Sequence, residues 1–433
     1  MNVLRTEQIK LKPSKELSRL CHISNNLYNE ANYIIRHWYF HHHKFLFYSV
    51  VNWLLKDVNQ SQNYRDLGVK SAQQILLLVE QNWQSFFAAR EDWNEHPEKY
   101  KAKPRIPGYR KKNGEFQILL NNQQIRFRKK SGLLSLGKKF PKISTRLPKE
   151  TALKQVRILP QQSGYLLEIV YEKEILDLPE NREAERITAI DLGMDNLITM
   201  VNNFGEQPIV IEGKPVKALN QWFNKQMALL QGVYDRQSIK QGEKRIIKIL
   251  KRRREVKSYF HKATRIIIDW CLQHNVDTLV IGYNKEWKQN ITLGRKNNQN
   301  FANIPFLMLV KQLEYKGRDA GIVVIRETEE YTSKCSFIDL ESIQKHKNYK
   351  GKRIHRGLFR SAKGILINAD VNAAYNILRK VFPKAFSKED VEGIVGEAIG
   401  LHPQRLSVFA FSGHIGSIRT SLKAMDYLKA STA

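Results

Sequence analysis

The run RITAIDLGMDNLITMVNNFGEQPIVIEG, residues 186–213, constrains the fold of this chain more than any other segment. Three short apolar, β-branched stretches are separated by turn residues, which predicts an antiparallel meander of three strands. The period then changes. Residues 213–275 read as a long helical stretch, and DTLVIGY (277–283) is a buried-strand run. Pro305 to Arg318 is helical, and GIVVIRE (321–327) is another strand.

Three meandering strands, then strands alternating with helices, is the order of an RNase H-like domain. The long helical stretch is inserted between strands three and four. The first half reads differently. Val3 to Lys12 alternates as a half-buried strand, and Pro13-Ser14 starts a helix carrying Leu17, Leu20, Cys21, Leu27, Tyr28 and Ala31 on one face. A second helix begins near Ser71 and carries Ile75, Leu78, Val79, Trp83 and Phe86. Strands follow at 116–120, 124–128, 133–136, 155–159 and 165–171, which suggests a small β-barrel with a helical insertion. The class is α/β plus β.

Charge narrows the function. Lys and Arg number 72 against 42 Asp and Glu, a formal net charge of +30 over 433 residues. Like charges repel within a compact state, and a polyanionic partner relieves that cost by counterion release, so nucleic acid is the expected partner. A basic protein adapted to salty or crowded surroundings is the alternative, but the charge is spread through the chain rather than gathered in a tail. Cys21, Cys271 and Cys335 are too few for a disulfide framework, which suggests a reducing compartment. No apolar run reaches membrane-spanning length and no signal peptide is evident, so a soluble, intracellular protein is expected, with no membrane partner.

Cutting a phosphodiester with two metal ions needs several carboxylates meeting at one point, since hard cations take oxygen ligands. Asp191 ends the first strand, followed by Gly193 in a turn. Asp370 lies in the first turn of an amphipathic helix, INADVNAAYNILRKV. Each has a plain structural explanation, a strand-terminal turn aspartate and a helix-capping aspartate respectively. Together they are placed as a nuclease would place them.

AIDLG and NLIT, YTSKCS (331–336) and NADVNAAYNI (368–377) together resemble the TnpB family, transposon-encoded RNA-guided DNA endonucleases related to type V CRISPR effectors. KPRIPGYRKKNG and GLHPQRL (400–406) are also similar to segments of such proteins. The resemblance implies a RuvC-type RNase H-like nuclease domain at 184–383, with a helical insertion at 213–275 and a degenerate zinc-ribbon insert at 331–366. It implies a β-barrel wedge domain at 1–183 with a helical recognition block at 13–100, and a tail at 384–433. The expected partners are a guide RNA and double- and single-stranded target DNA, with two Mg2+ ions, or Mn2+ in their place, as cofactors.

Two departures from the family pattern matter. The family's glutamate at the end of strand four is missing, and LVIGYN has Gly282 and Tyr283 there. Strand five lies about 4.8 Å away in such a sheet, so an acid at its exit can reach the vacated position. Of the acids there, Glu329 best matches the branch of the family with a relocated acid. Glu327 and Glu330 are substitutes, and Glu286 is an outsider. The catalytic and metal-binding set is then Asp191, Glu329 and Asp370. In the insert, Cys335, His346 and His355 lack zinc-ligand spacing, and no zinc is expected.

Three basic or polar groups complete the expected nucleic-acid surface. Lys70, Ser71 and Gln74 open the second helix, where the family places a Lys and a Gln against the flanking motif; Ser71 serves equally as an N-cap. The loop from Lys101 to Gly114 offers Lys103, Arg105, Tyr109 and Arg110, and the helix at 244–257 offers Lys244, Arg245, Lys248, Arg252 and Arg253. Two other readings stay open: a guided DNA-binding repressor that no longer cuts, and an unguided RuvC-like resolvase or transposase accessory protein. The guide, the flanking motif and the oligomeric state are not legible in the sequence.

Overall fold

The computed structural model describes residues 2–128, 130–137, 140, 142–148, 151–162, 164–175, 183–238, 242–284 and 303–408. The chain divides into two compact units, Met1–Glu174 and Ile175–Ala433.

In the first unit, strands β1 (Asn2–Leu11), β2 (Ile118–Asn121), β3 (Arg126–Arg128), β4 (Leu133–Ser135), β5 (Ile143–Ser144), β6 (Ala152–Gln161) and β7 (Gly164–Glu174) form two antiparallel sheets. One is ordered β1-β7-β6-β2 and the other β3-β4-β5. Among the described residues no ladder joins the outer strands β1 and β2. Between β1 and β2 lie four helices: α1 (Lys15–His42), α2 (Tyr48–Trp53), α3 (Gln62–Leu67) and α4 (Val69–Glu95). Ser14 caps α1, its hydroxyl accepting from the Leu17 amide at 3.5 Å. The second helix starts two residues before Ser71: its N-cap is Gly68, with φ of 90°. Trp83, Ile75 and Val79 of α4 pack with Leu20, Leu27 and Ile35 of α1 into one core.

A row of polar side chains one turn apart along α1 holds the basic loop. His22, Asn25, Asn29, Asn32 and Arg36 each bond a main-chain carbonyl of residues 107–114, at 2.8 to 3.2 Å. Spacings of three and four put all five on one helical face. The Asn32 amide oxygen also accepts from the buried indole of Trp83 at 2.9 Å. The loop's main chain is therefore fixed against α1.

The second unit is built on a six-stranded sheet. Strands β8 (Ile187–Leu192), β9 (Asn196–Asn202) and β10 (Ile209–Glu212) are the meander, and β11 (Thr278–Gly282) and β12 (Val323–Glu327) add parallel to β8. Helices α5 (Lys214–Arg236) and α6 (Glu243–Gln273) make up the insertion, and α7 (Phe306–Asp319) links β11 to β12. A small antiparallel sheet of β13 (Lys352–His355), β14 (Leu358–Arg360) and β15 (Leu366–Asn368) leads into α8 (Ala369–Val381), then α9 (Lys388–Glu397). Strand β16 (Gln404–Leu406) closes the order β12-β11-β8-β9-β10-β16, pairing parallel with β10.

Period two sorts the strand residues between two cores. Leu279 and Ile281 join Ile190 and residues of α6 and α7 on one face, while Val280 and Ala189 face α8 on the other. A strand buried on both faces must be apolar throughout, which is why LVIG carries no alternation. Each buried Leu or Ile of this kind contributes roughly 1.5–3 kcal/mol.

Candidate active site

The sheet pairing places the acids. Ile190 on β8 lies opposite Ile281 on β11, so Asp191 and Gly282, one residue on, share a level across neighbouring strands. Gly282 is in turn opposite Glu327 at the end of β12. Beyond Glu327 the chain turns back, and Glu329 comes to lie over Gly282. A Cβ at position 282 would sit 2.7 Å from Glu329 Oε1 and 2.5 Å from Ile377 Cδ1. The glycine is therefore the space that the Glu329 carboxyl occupies.

Asp370 comes from the first turn of α8, the helix whose Ile377 also packs against Gly282. It does not cap that helix. Asn368 does, its side chain accepting from the amides of Asp370 and Val371 at 3.0 and 3.2 Å. The Asp370 carboxylate instead accepts from Asn196 Nδ2 at 2.7 Å and from Arg353 Nη2 at 3.2 Å. Gly193 serves the turn that brings Asn196 there, since a Cβ would lie 2.6 Å from the Asn196 carbonyl.

The three acids influence one another. Asp191 is pushed well above the usual carboxylate range, first by desolvation, then by the charges of Glu329 and Asp370, with Arg353 partly opposing. Like charges held this close, with oxygen as the sole donor element, suit a hard divalent cation. Among the described residues, though, no three His, Cys, Asp or Glu side chains are gathered tightly enough to enclose an ion as they stand. Arg353 and Asn196 hold Asp370 in place of a closed ligand set.

The neighbouring acids are placed differently. Glu327 lies beside Lys380, with Oε1 3.2 Å from Nζ, and accepts from the Thr328 amide and hydroxyl at 2.9 Å. Burial alone would raise its pKa, but the Thr328 bonds and Lys380 hold it below the ordinary value. Glu330 is exposed, and Glu286 lies outside the described residues.

A cleft of about 600 Å³ opens beside Asp370, lined by Lys214, Arg353, Arg356 and Arg405 as well as by Asp195 and Asn196. Asp195 anchors two bases, Lys217 at 2.7 Å and Arg356 at 2.5 Å. Four cations around one cleft make it attractive to a phosphate chain. Asn196 opens β9, just after the hairpin turn and five residues after Asp191, a place that sequence reading could have searched. Arg353 and Arg356 had no sequence signal, because only the tertiary fold brings the β13–β14 hairpin to the acids.

The expected nucleic-acid residues divide. Lys70 is exposed at the start of α4, and Gln74 is half-buried, accepting from Gln155 at 3.4 Å. Ser71 needs correction: it is neither a cap nor a surface group, being buried with its hydroxyl accepting from Gln124 at 2.9 Å. In the strapped loop Arg105 and Tyr109 are exposed, and Lys103 lies 5.2 Å over the Trp93 ring. The Arg110 guanidinium stacks 3.7 Å over Phe116, and burial lowers its pKa. On α6, Lys244 and Arg253 are exposed, while Arg245 and Lys248 bond Gln231 and Gln226 of α5 at 2.7 and 3.1 Å. Arg252 also needs correction. It is drawn into the fold, donating to Asn220 at 2.7 Å and to the Asn303 carbonyl at 2.6 Å, so it is a clamp rather than a free phosphate contact.

In the ribbon-like insert, the Cys335 thiol is buried and donates to the carbonyls of Ser342 and Gln344 at 3.4 and 3.7 Å. Buried Glu341 ties the insert together, accepting from the amides of Ser336 at 2.8 Å and Lys350 at 2.9 Å. No helix among the described residues is long and apolar enough to cross a membrane.

Parts of the chain are similar to known proteins. Residues 168–288 match the family model OrfB_IS605, described as a probable transposase, and residues 306–377 match the Cas12f1-like TNB domain. A curated relative, the TnpB-like protein ORF457 of Acidianus two-tailed virus, is 25% identical over 209 residues. That match covers 46% of this chain and 42% of the relative, so the chain spans well under half the length of that protein. Among solved structures, a Cas12f1–sgRNA–target DNA complex is 16% identical over 84% of this chain and 81% of its own, with a TM-score of 0.48. The mini-RNA-guided endonuclease CRISPR-Cas_phi3 is 9% identical over 87% and 92%, with a TM-score of 0.42.

Proposed function

Because the chain is a TnpB-family protein, we propose that it is an RNA-guided, Mg2+-dependent DNA endonuclease that cuts beside a short flanking motif. The observation that carries this reading is the meeting of Asp191, Glu329 and Asp370 at one end of the central strands, close enough to shift the Asp191 carboxyl. These are the residues that would hold Mg2+, with Mn2+ as a substitute. Such ions, when bound, stabilise the attacking and leaving oxygens of the phosphodiester.

The chain's own groups do the rest. Asn196 and Arg353 orient Asp370. Lys214, Arg356 and Arg405 draw the phosphate backbone along the cleft. On this reading the first unit, with its strapped basic loop and Lys70 and Gln74, is the wedge and recognition part that holds guide and flanking motif. Sequence choice then lies in base pairing with the RNA.

The test is cleavage of a plasmid carrying the guide-matched sequence by protein purified with its RNA, with and without Mg2+. Asp191→Ala is expected to abolish cutting and leave target binding intact. Cutting by this variant at the parental rate would remove Asp191 from the site. One observation favours the second reading, a guided repressor: Asp370 is engaged by Arg353 and Asn196, and the acids do not enclose an ion as they stand. A parent that binds its target but never cuts at any Mg2+ or Mn2+ concentration would establish that reading instead.

A further inference from the structure

We propose that Lys380 and Asn376 of α8 are positioning residues for the relocated acid Glu329, an inference that deepens the nuclease reading of this site. A glutamate on a strand is aimed by the sheet itself. Glu329 has left the strand and sits in a loop, where its aim needs other support. The support comes from the helix that also presents Asp370.

Lys380 Nζ donates to the Thr328 carbonyl at 2.9 Å and to its hydroxyl at 2.5 Å, and lies 3.2 Å from Glu327. Asn376, fully buried, donates to the carbonyls of Thr332 and Cys335 at 2.9 and 2.8 Å. Thr332 in turn donates from its hydroxyl to the Glu329 carbonyl at 2.9 Å. Residues 328 and 332 bracket Glu329, and each is tied to α8. Positions 376 and 380 are one turn apart on a single helical face, and Asn372 extends the row by donating to the Cys335 carbonyl at 2.9 Å. One rigid element thus sets both Asp370, at its first turn, and the loop that carries Glu329.

Neither residue touches the reacting atoms on this account. They act through Glu329, so their loss should weaken the hold on the cation rather than remove a chemical group. Groups that orient ligating carboxylates typically cost about 10–100-fold in metal affinity or activity when removed.

The experiment is a Mg2+ titration of plasmid cleavage by the RNA-bound protein, comparing parent, Lys380→Met, Lys380→Arg and Glu329→Gln. Lys380→Met should move the Mg2+ midpoint up about tenfold with target binding unchanged. Lys380→Arg should restore most of the shift. Thr328→Val, which removes only the hydroxyl acceptor, should move the midpoint the same way and serves if Lys380→Met unfolds. A parental midpoint in both Lys380→Met and Thr328→Val overturns the positioning role. So does a rate loss that tracks a fall in Tm and that neither Mg2+ nor Lys380→Arg recovers. If Glu329→Gln cuts like the parent, Glu329 is not the third acid and the positioning role falls with it, whereas a parent that never cuts at any Mg2+ concentration is the failure of the nuclease reading itself.

Discussion

At the scale of single residues, the candidate site depends on a side chain that is missing. Gly282 has no φ requirement here; its value is the volume it leaves for Glu329 and Ile377. A methyl group 2.7 Å from a carboxylate oxygen and 2.5 Å from a methyl carbon must displace one of them. Ile377 is fully buried among the apolar side chains packed under α8, so Glu329 is the group that yields. Gly282→Ala is therefore expected to cut cleavage by one to two orders of magnitude, while Tm falls by a few degrees, in line with about 1–3 kcal/mol of overpacking. Cleavage and thermal melts on the same preparation check it. A variant that cuts at the parental rate would mean that Glu329 does not work from that place. Asp191 and Asp370 were legible in sequence because strand-end and first-turn positions follow from local pattern. Glu329 needed the resemblance as well, since three acids within four residues are equivalent until the loop is folded. Arg353 was invisible, because it approaches Asp370 only through the hairpin that precedes α8.

At the scale of elements, the strands and helices of the second unit follow from period and turn chemistry. The ends of that sheet do not. Strand β16 has three residues, and its pairing with β10 depends on a chain segment nearly two hundred residues away. In the first unit the polar row on α1 is the feature that hydrophobic patterning overlooks. Asn25, Asn32 and Ser24 are buried on a helix whose apolar face was read as Leu, Cys, Tyr and Ala alone. Asn32 is the centre of the row, bonding the Pro107 and Gly108 carbonyls and accepting from Trp83. Asn32→Ala leaves a buried indole N–H and two carbonyls without that partner, each unsatisfied group costing about 1–3 kcal/mol. We expect denaturant unfolding to show a loss of about 2–4 kcal/mol for Asn32→Ala. We also expect faster proteolysis at Arg105–Arg110, because the Gly108 carbonyl loses its Asn32 partner and the Pro107 carbonyl keeps only Arg36. Unchanged protease sensitivity would show that the remaining contacts from Asn25, Asn29 and Arg36 are enough to hold it.

At the scale of the whole molecule, a net charge of +30 points in sequence to a polyanionic partner, but not to the cations that would meet it. Structure divides them into those that hold the fold and those that face solvent. Arg252 and Arg253 are neighbours in one basic run, and sequence gives no reason to treat them differently. Arg252 turns inward to Asn220 and the Asn303 carbonyl, and burial lowers its pKa; Arg253 is exposed. Counterion release makes this difference measurable, since each phosphate neutralised adds about 0.7–0.9 to the slope of log affinity against log salt. With the RNA that copurifies with the protein as the probe, Arg253→Ala should flatten that slope by roughly one such increment and leave Tm near the parental value. Arg252→Ala should leave the slope alone and lower Tm, because it removes two internal hydrogen bonds and a stack over Phe223. If instead Arg252→Ala flattens the slope at parental Tm, the guanidinium must leave its internal partners to meet the phosphate, and the helical insertion rearranges when RNA binds.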